Sequence, residues 1–302
     1  MKQVTRREFF EYSGKLAAMM GLSVSCIPSI ADAITWLSQE NPPVLWLQGQ
    51  SCSGCSVSFL NSENPEPAHI LIRHISLLFH STISSATGSV ALETMQKSIS
   101  RSDYILVVEG SIPQGMPEAC MVGHESINQL VFNAAKNAKA IVTAGTCASF
   151  GGIPAAENNP TGATSVSSFL ESRQLSKPII HVPGCPCHPD WIVGTLVHTL
   201  KFGIPKCDAQ KRPLMFFSRL VHDQCPRFAD YEREKFAKTF SERGCLFKLG
   251  CLGPNTHADC TMRFWNGGIN SCITAGAPCI GCASETFALK NNFSFYRKNE
   301  TS

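Results

Sequence analysis

Val44-Leu45-Trp46-Leu47-Gln48-Gly49-Gln50-Ser51-Cys52-Ser53-Gly54-Cys55 sets a short run of apolar, β-favouring residues directly before a glycine turn and a Cys-x-x-Cys pair. Four similar runs follow at longer spacings, over 70–79, 104–109, 140–144 and 179–182. Runs of this length separated by long segments predict parallel strands joined by helical crossovers. Residues 119–139 have helical composition between two of them. An α/β domain with a parallel sheet is therefore expected over 43–202. Cys52 and Cys55 follow the first run, Cys147 the run 140–144, and Cys185 the run 179–182. All four lie just past the carboxyl end of a strand, where open α/β sheets gather their ligands. Gly49, Gly54, Gly145 and Gly184 stand beside them and allow the backbone to approach a bulky group closely.

From residue 203 onward the strand periodicity fades. Residues 231–243 read as a helix of mixed charge, and turns dominate elsewhere. The region 203–302 nevertheless holds eight further candidate ligands. Of fifteen cysteines in the chain, eleven, together with one histidine, sort into three groups of four. They are Cys52, Cys55, Cys147 and Cys185; His222, Cys225, Cys245 and Cys251; and Cys260, Cys272, Cys279 and Cys282. Four soft ligands per group suit a cubane iron–sulfur cluster. A segment so poor in apolar periodicity is expected to organise around metal centres, whose binding supplies folding free energy.

The bounds agree. The chain has 302 residues, 43% of them hydrophobic and 16% charged, with a formal net charge of +3. No basic run interleaved with aromatics points to nucleic acid. A cysteine-rich chain invites a disulfide reading, and the N-terminus argues against it. Thr5-Arg6-Arg7-Glu8-Phe9-Phe10, followed by Lys15, resembles a twin-arginine export signal. An apolar stretch over 16–30 and the A-x-A site Ala31-Asp32-Ala33 complete a leader over 1–33. That stretch is short and serine-rich for a membrane span, and no later segment is long and apolar enough. Twin-arginine export carries folded proteins, often with a cofactor already installed, so the thiols are needed as ligands before export. Cys26 falls within the leader, where Ser23-Val24-Ser25 matches a lipoprotein acceptor site poorly. A soluble or partner-anchored periplasmic protein is expected.

The motifs together resemble the small subunit of nickel–iron hydrogenases, and more closely the nickel–iron–selenium subgroup. They are Gln48-Gly49-Gln50-Ser51-Cys52-Ser53-Gly54-Cys55, Gly145-Thr146-Cys147-Ala148, Pro183-Gly184-Cys185-Pro186, His222-Asp223-Gln224-Cys225-Pro226, Leu249-Gly250-Cys251-Leu252-Gly253-Pro254 and Pro278-Cys279-Ile280-Gly281-Cys282. One Cys-x-x-Cys is weak; six motifs in this order are specific. The resemblance implies a flavodoxin-like domain followed by a small irregular cluster domain. It implies a proximal [4Fe–4S] cluster on the first group, nearest the metals of a large subunit. It also implies a distal [4Fe–4S] cluster on the His222 group, whose membership rests on the family spacing. A neutral imidazole ligand changes cluster charge and so its potential. The large subunit would split hydrogen at its nickel–iron centre, and electrons would pass to a periplasmic cytochrome c or a membrane-bound carrier. No residue here is expected to act as acid, base or nucleophile.

Departures from the family pattern matter as much. Ordinary members hold a medial [3Fe–4S] cluster by three cysteines, with proline where this chain has Cys272. A fourth thiolate implies a medial [4Fe–4S] cluster of lower potential; without it the cluster stays [3Fe–4S]. Oxygen-tolerant members add cysteines at the positions of Gly54 and Gly152, so a conventional proximal cubane is expected. Cys187 replaces a usual proline and could compete with Cys185 for iron. Cys120 reads as a packed small hydrophobe, and Cys207 has no evident partner. Between residues 205 and 250, ten Lys/Arg face six Asp/Glu, a mildly basic balance that would steer an acidic carrier. The competing readings are zinc, which leaves the dispersed first group unexplained, and a secreted disulfide module. Within redox proteins the alternatives are a cytoplasmic hydrogen sensor and an electron-transfer subunit of a related non-hydrogenase oxidoreductase.

Overall fold

Five runs of apolar residues become one parallel sheet. The computed structural model of the chain describes residues 6–63, 66–156 and 158–288. The strands are β1 (Pro43–Gln48), β2 (Ser76–His80), β3 (Ile105–Glu109), β4 (Ala140–Ala144) and β5 (Ile179–Val182), in the order β2-β1-β3-β4-β5. That order is the flavodoxin-like doubly wound arrangement, with its switch point between β1 and β3. The expected α/β fold is the one observed.

Register decides what lies where. Gln48 pairs with Glu109, Glu109 with Ala144, and Ala144 with Val182, so four strands end level. Alternation sends side chains to both faces. Val44, Trp46, Val107, Val142 and Ile180 enter one core, and Leu45, Leu47, Leu106, Val108 and Ile141 the other. Both faces of the sheet are buried, which is why these strands read as largely hydrophobic runs.

Helices cover both faces. α1 (Arg6–Met19), α2 (Ile27–Glu40), α3 (Gly54–Leu60) and α8 (Pro189–Phe202) lie on the first, and α4 (Gly88–Ile99), α5 (Ile127–Asn137) and α7 (Val166–Ser172) on the second, while α6 (Thr146–Phe150) carries Cys147. The stretch expected to be a leader is packed here. Leu16, Ala17, Met20, Ile30, Ala33, Ile34 and Leu37 are buried, and Tyr12 and Ser38 both hydrogen-bond the His74 ring. α8 receives α1 closely because position 194 is glycine: a Cβ there would lie 2.7 Å from Phe216 and 3.4 Å from Met20.

Three expected elements differ. In the run 70–79, Ile70–His74 is a π-helical turn and the strand begins only at Ser76. Its apolarity serves packing under α2 rather than pairing. In 119–139 the helix starts at Ile127, after a two-stranded turn pairing Met121–Val122 with Glu125–Ser126. The helix expected over 231–243 is absent: Phe228–Glu232 forms one turn, and Glu234 and Ser241 take positive φ. Backbone there pairs elsewhere, Cys245 N–H donating to Lys235 O at 2.8 Å and Ala237 N–H to Cys245 O at 2.9 Å. The chain is drawn out to hold the Cys245 loop. Among the described residues beyond 203 there are only short helical turns and isolated bridges. The polar tail 290–302 lies outside the described residues.

Candidate metal centres

The level strand ends bring Cys52, Cys55, Cys147 and Cys185 together. Cys185 feels the charge of Cys147, Cys55 and Cys52, and Cys147 that of Cys55 and Cys52. Cys55 opens α3, and its turn is anchored by a buried carboxylate that the sequence reading did not single out. Glu109, at the end of β3 and 1% exposed, accepts from Ser51 Oγ (2.9 Å), Cys55 N–H (3.1 Å), Gln48 Nε2 (3.2 Å) and Trp46 Nε1 (3.3 Å), and from Ser56 Oγ. A carboxylate closing an otherwise apolar strand run was the available signal, because such a group must find donors.

Glycines make room beside the sulfurs. A Cβ at Gly54 would stand 3.1 Å from Cys52 Sγ, one at Gly152 2.8 Å from Cys147 Sγ, and one at Gly145 would overlap Cys55 Sγ. The residues therefore form a cradle that a bulky group fits. Burial pushes the Cys147 thiol up to about 11 and Cys185 up to about 12. Metal binding must displace those protons.

Cys260, Cys272, Cys279 and Cys282 line one cavity of about 370 Å³, closed by Trp191, Val221, Ile273 and Ala283. Cys272 reaches it although its residue is exposed, and it adds to the charge felt by Cys260 and Cys282. The four donors and the cavity suit a multi-metal group. His222, Cys225, Cys245 and Cys251 line a third, narrower pocket. The His222 ring is set edge-on to Tyr231 at 4.5 Å and Phe228 at 5.1 Å between centroids. Cys225 Sγ accepts Arg227 N–H at 3.4 Å. Among the described residues no three His, Cys, Asp or Glu side chains converge on a single-ion site. Sulfurs ranged around a cavity suit a group with several metal corners.

The three sets are joined in series. Cys185 lines the same cavity as Cys260, Cys272, Cys279 and Cys282, linking first to third group, and Leu252 N–H, next to Cys251, donates to Cys279 O at 2.7 Å, linking third to second. Thr146, also missed in the sequence, ties the same loops: Gly184 N–H donates to its Oγ1 at 2.8 Å, and Oγ1 donates to Cys282 O. Cys120 is half-buried against the second core, and Cys207 Sγ donates to Pro205 O at 3.3 Å. Cys187 is fully buried beside Cys55.

Comparison with known proteins gives a consistent answer. Residues 52–199 match the family model "NADH ubiquinone oxidoreductase, 20 Kd subunit", and residues 217–295 match the model for the C-terminal part of the "NiFe/NiFeSe hydrogenase small subunit". The periplasmic [NiFeSe] hydrogenase small subunit of Desulfomicrobium baculatum is 41% identical over 94% of this chain and 96% of its own length. The chain belongs to the nickel–iron hydrogenase small-subunit family. The hydrogenase-2 small chain of Escherichia coli is 36% identical over 93% of this chain and 77% of its own. The solved [NiFeSe] hydrogenase of D. baculatum superposes with a TM-score of 0.82 at 42% identity, covering 86% of this chain and 99% of that one. The [NiFeSe] hydrogenase of Desulfovibrio vulgaris Hildenborough gives 0.81. As a hydrogenase small subunit, this chain is the partner of a catalytic large subunit, and iron–sulfur clusters are the cofactors of its family. No helix among the described residues is long and apolar enough to cross a membrane.

Proposed function

We propose that this chain conducts electrons between the nickel–iron site of its large-subunit partner and an external carrier, through three iron–sulfur clusters. The observation that carries the reading is the series of three four-donor sets, with Cys185 on the wall of the third set's cavity and Leu252 N–H, next to Cys251, donating to Cys279 O. Cys52, Cys55, Cys147 and Cys185 hold the proximal [4Fe–4S] cluster. Cys260, Cys272, Cys279 and Cys282 hold the medial one, and Cys272 on the wall of the same cavity as the other three supports [4Fe–4S] over [3Fe–4S]. His222, Cys225, Cys245 and Cys251 hold the distal [4Fe–4S] cluster. Bound clusters supply one-electron couples whose potentials follow charge, burial and hydrogen bonds to sulfur. The protein's part is placement: Glu109 and Thr146 fix the ligand loops, and apolar walls exclude water. The reading predicts about twelve irons per small subunit in the purified heterodimer. Mössbauer and EPR spectra that resolve only two clusters would overturn it.

The domain limits we assign are a leader over 1–33, a flavodoxin-like domain over 43–202 that holds the proximal cluster, and a cluster domain over 203–302. We place the mature protein in the periplasm after twin-arginine export, in keeping with the name of the D. baculatum relative. Ala33 is fully buried on α2, so cleavage there requires α2 to leave its seat. Intact-mass measurement of the exported chain tests this; retention of residues 1–33 refutes it. The basic balance around the distal set favours an acidic electron acceptor, a cytochrome c or a membrane-bound carrier. Reduction of such a cytochrome should slow steeply with rising salt.

A further inference from the structure

The carboxylate that anchors the Cys55 turn is itself held from the edge strand of the sheet. His80 closes β2 and is 0% exposed, its ring 5.0 Å from that of Trp46 between centroids. Its Nε2 lies 3.1 Å from Ser56 Oγ, and Ser56 Oγ is hydrogen-bonded to Glu109 Oε2. Gln48 Nε2 donates to both, at 2.9 Å to Ser56 Oγ and 3.2 Å to Glu109 Oε2. Valence fixes the direction of each bond. A carboxylate only accepts, so the single Ser56 proton goes to Glu109. The Ser56 lone pairs then take one proton from Gln48 and one from His80, which puts the imidazole proton on Nε2. The other side of the ring gives the same answer: Thr82 N–H donates to His80 Nδ1 at 3.0 Å, so Nδ1 bears no proton. Burial agrees, lowering His80 from its ordinary 6.5 to about 4 and keeping the ring neutral. Thr82 Oγ1 donates to Gln48 Oε1 at 3.2 Å and orients that amide as well. Each donor in the network thus points along a path to Glu109, whose other oxygen accepts Cys55 N–H.

We infer that His80 is a positioning residue: through Ser56 it polarises and fixes the Glu109 carboxylate, and so raises the reduction potential of the group that Cys55 helps to hold. The inference rests on the reading that the first four thiols hold a cluster. Hydrogen bonds in a chain strengthen one another. Donors that draw negative charge off a carboxylate tied to a ligand turn ease the arrival of an electron there. His80 and Ser56 act through Glu109, and neither supplies a ligand.

The test is a redox titration of the assembled heterodimer, followed by EPR, with iron counted on the same samples. His80→Leu removes the donor, Ser56→Ala removes the link and leaves the ring, and His80→Gln keeps an amide donor at the place of Nε2. His80→Leu should lower the midpoint of one cluster, and of that cluster alone, by the equivalent of about threefold in its equilibrium constant, ~30 mV for a one-electron couple. Ser56→Ala should lower it at least as far, iron content should stay constant, and His80→Gln should recover at least half the shift. Because the two residues act in series, the double variant Ser56→Ala/His80→Leu should shift no further than Ser56→Ala. An unchanged midpoint in either single variant, or additive shifts in the double one, overturns the inference. If His80→Leu loses iron, the other two variants decide: a Ser56→Ala midpoint at the wild-type value, or a His80→Gln midpoint as low as that of Ser56→Ala, overturns it. Wild-type heterodimer with no cluster signal attributable to the first set would instead sink the underlying reading.

Discussion

Gly145→Ala is the most exacting test of the first cradle. Gly145 has φ 90° and ψ 162°, a conformation essentially confined to glycine, and its Cβ would overlap Cys55 Sγ while standing 3.4 Å from Gly184 O. Backbone strain of this kind costs about 1–3 kcal/mol. Forcing a methyl into filled space adds about 1–3 kcal/mol. The sum, about 2–6 kcal/mol, is a large part of the roughly 5–15 kcal/mol that ordinarily stabilises a domain. The cost can be relieved only by moving the Cys55 sulfur away from its three companions. Gly203→Ala supplies the control. Its φ of 81° and ψ of −162° are equally unfavourable for alanine, yet nothing lies within 4 Å of its Cβ. The two variants should therefore share the strain and differ in the clash. Iron content and thermal midpoint are measured on both heterodimers. Gly203→Ala should keep all its iron and lose a few degrees, whereas Gly145→Ala should lose the irons of one cluster, about four. Equal iron in the two variants would refute the cradle.

Cys272→Ala should open one corner of the medial cube, lowering iron from about twelve to about eleven per small subunit and producing the near-isotropic EPR signal of an oxidised three-iron cluster; an unaltered spectrum contradicts the ligand assignment. Arg263 joins Asp190 (3.0 Å) to Asp259 beside Cys260, with only 12% of its side chain exposed. Arg263→Met should cost about 3 kcal/mol by stranding two carboxylates, read as a fall in thermal midpoint of about 6 °C or more, and an unchanged midpoint would show that the pair does not clasp the two regions. Burial lowers His181 from its ordinary 6.5 to about 3, with Thr143 and Ser167 hydroxyls on its two nitrogens. The unfolded chain therefore binds the extra proton first, and this stability is complete above pH 6.5 and drains away as pH falls toward 3. By pH 5 the loss is about 2 kcal/mol; denaturant titrations at pH 7 and 5 should show it in wild type and not in His181→Gln.

How far the sequence could be read follows from which residues carry local signals. The runs 44–48, 104–109, 140–144 and 179–182 mark strands because both faces of the sheet are buried and most of their positions are apolar. The run 70–79 carries the same apolarity for another reason: Ile70 is covered by helices, and His74 is hydrogen-bonded by Tyr12 and Ser38. Composition cannot separate the two uses. Charge periodicity over 231–243 suggested a helix, but pairing with the Cys245 loop is a long-range choice and overrode it. Residues 16–30 have the composition of a leader's apolar stretch, and that composition is equally what packing against α8 requires.

The sequence by itself determined the inventory of candidate donors: eleven cysteines and a histidine in motifs specific enough to name the family, with the first four placed at strand ends. It could do so because strand-end glycines and Cys-x-x-Cys spacings are local features. Only the tertiary structure decided how those donors meet. The order β2-β1-β3-β4-β5 and the level register of four strands bring loops more than a hundred residues apart to one edge. Glu109 and Thr146 acquire their roles there, since a buried carboxylate or hydroxyl is defined by the partners around it, and those partners come from distant parts of the chain.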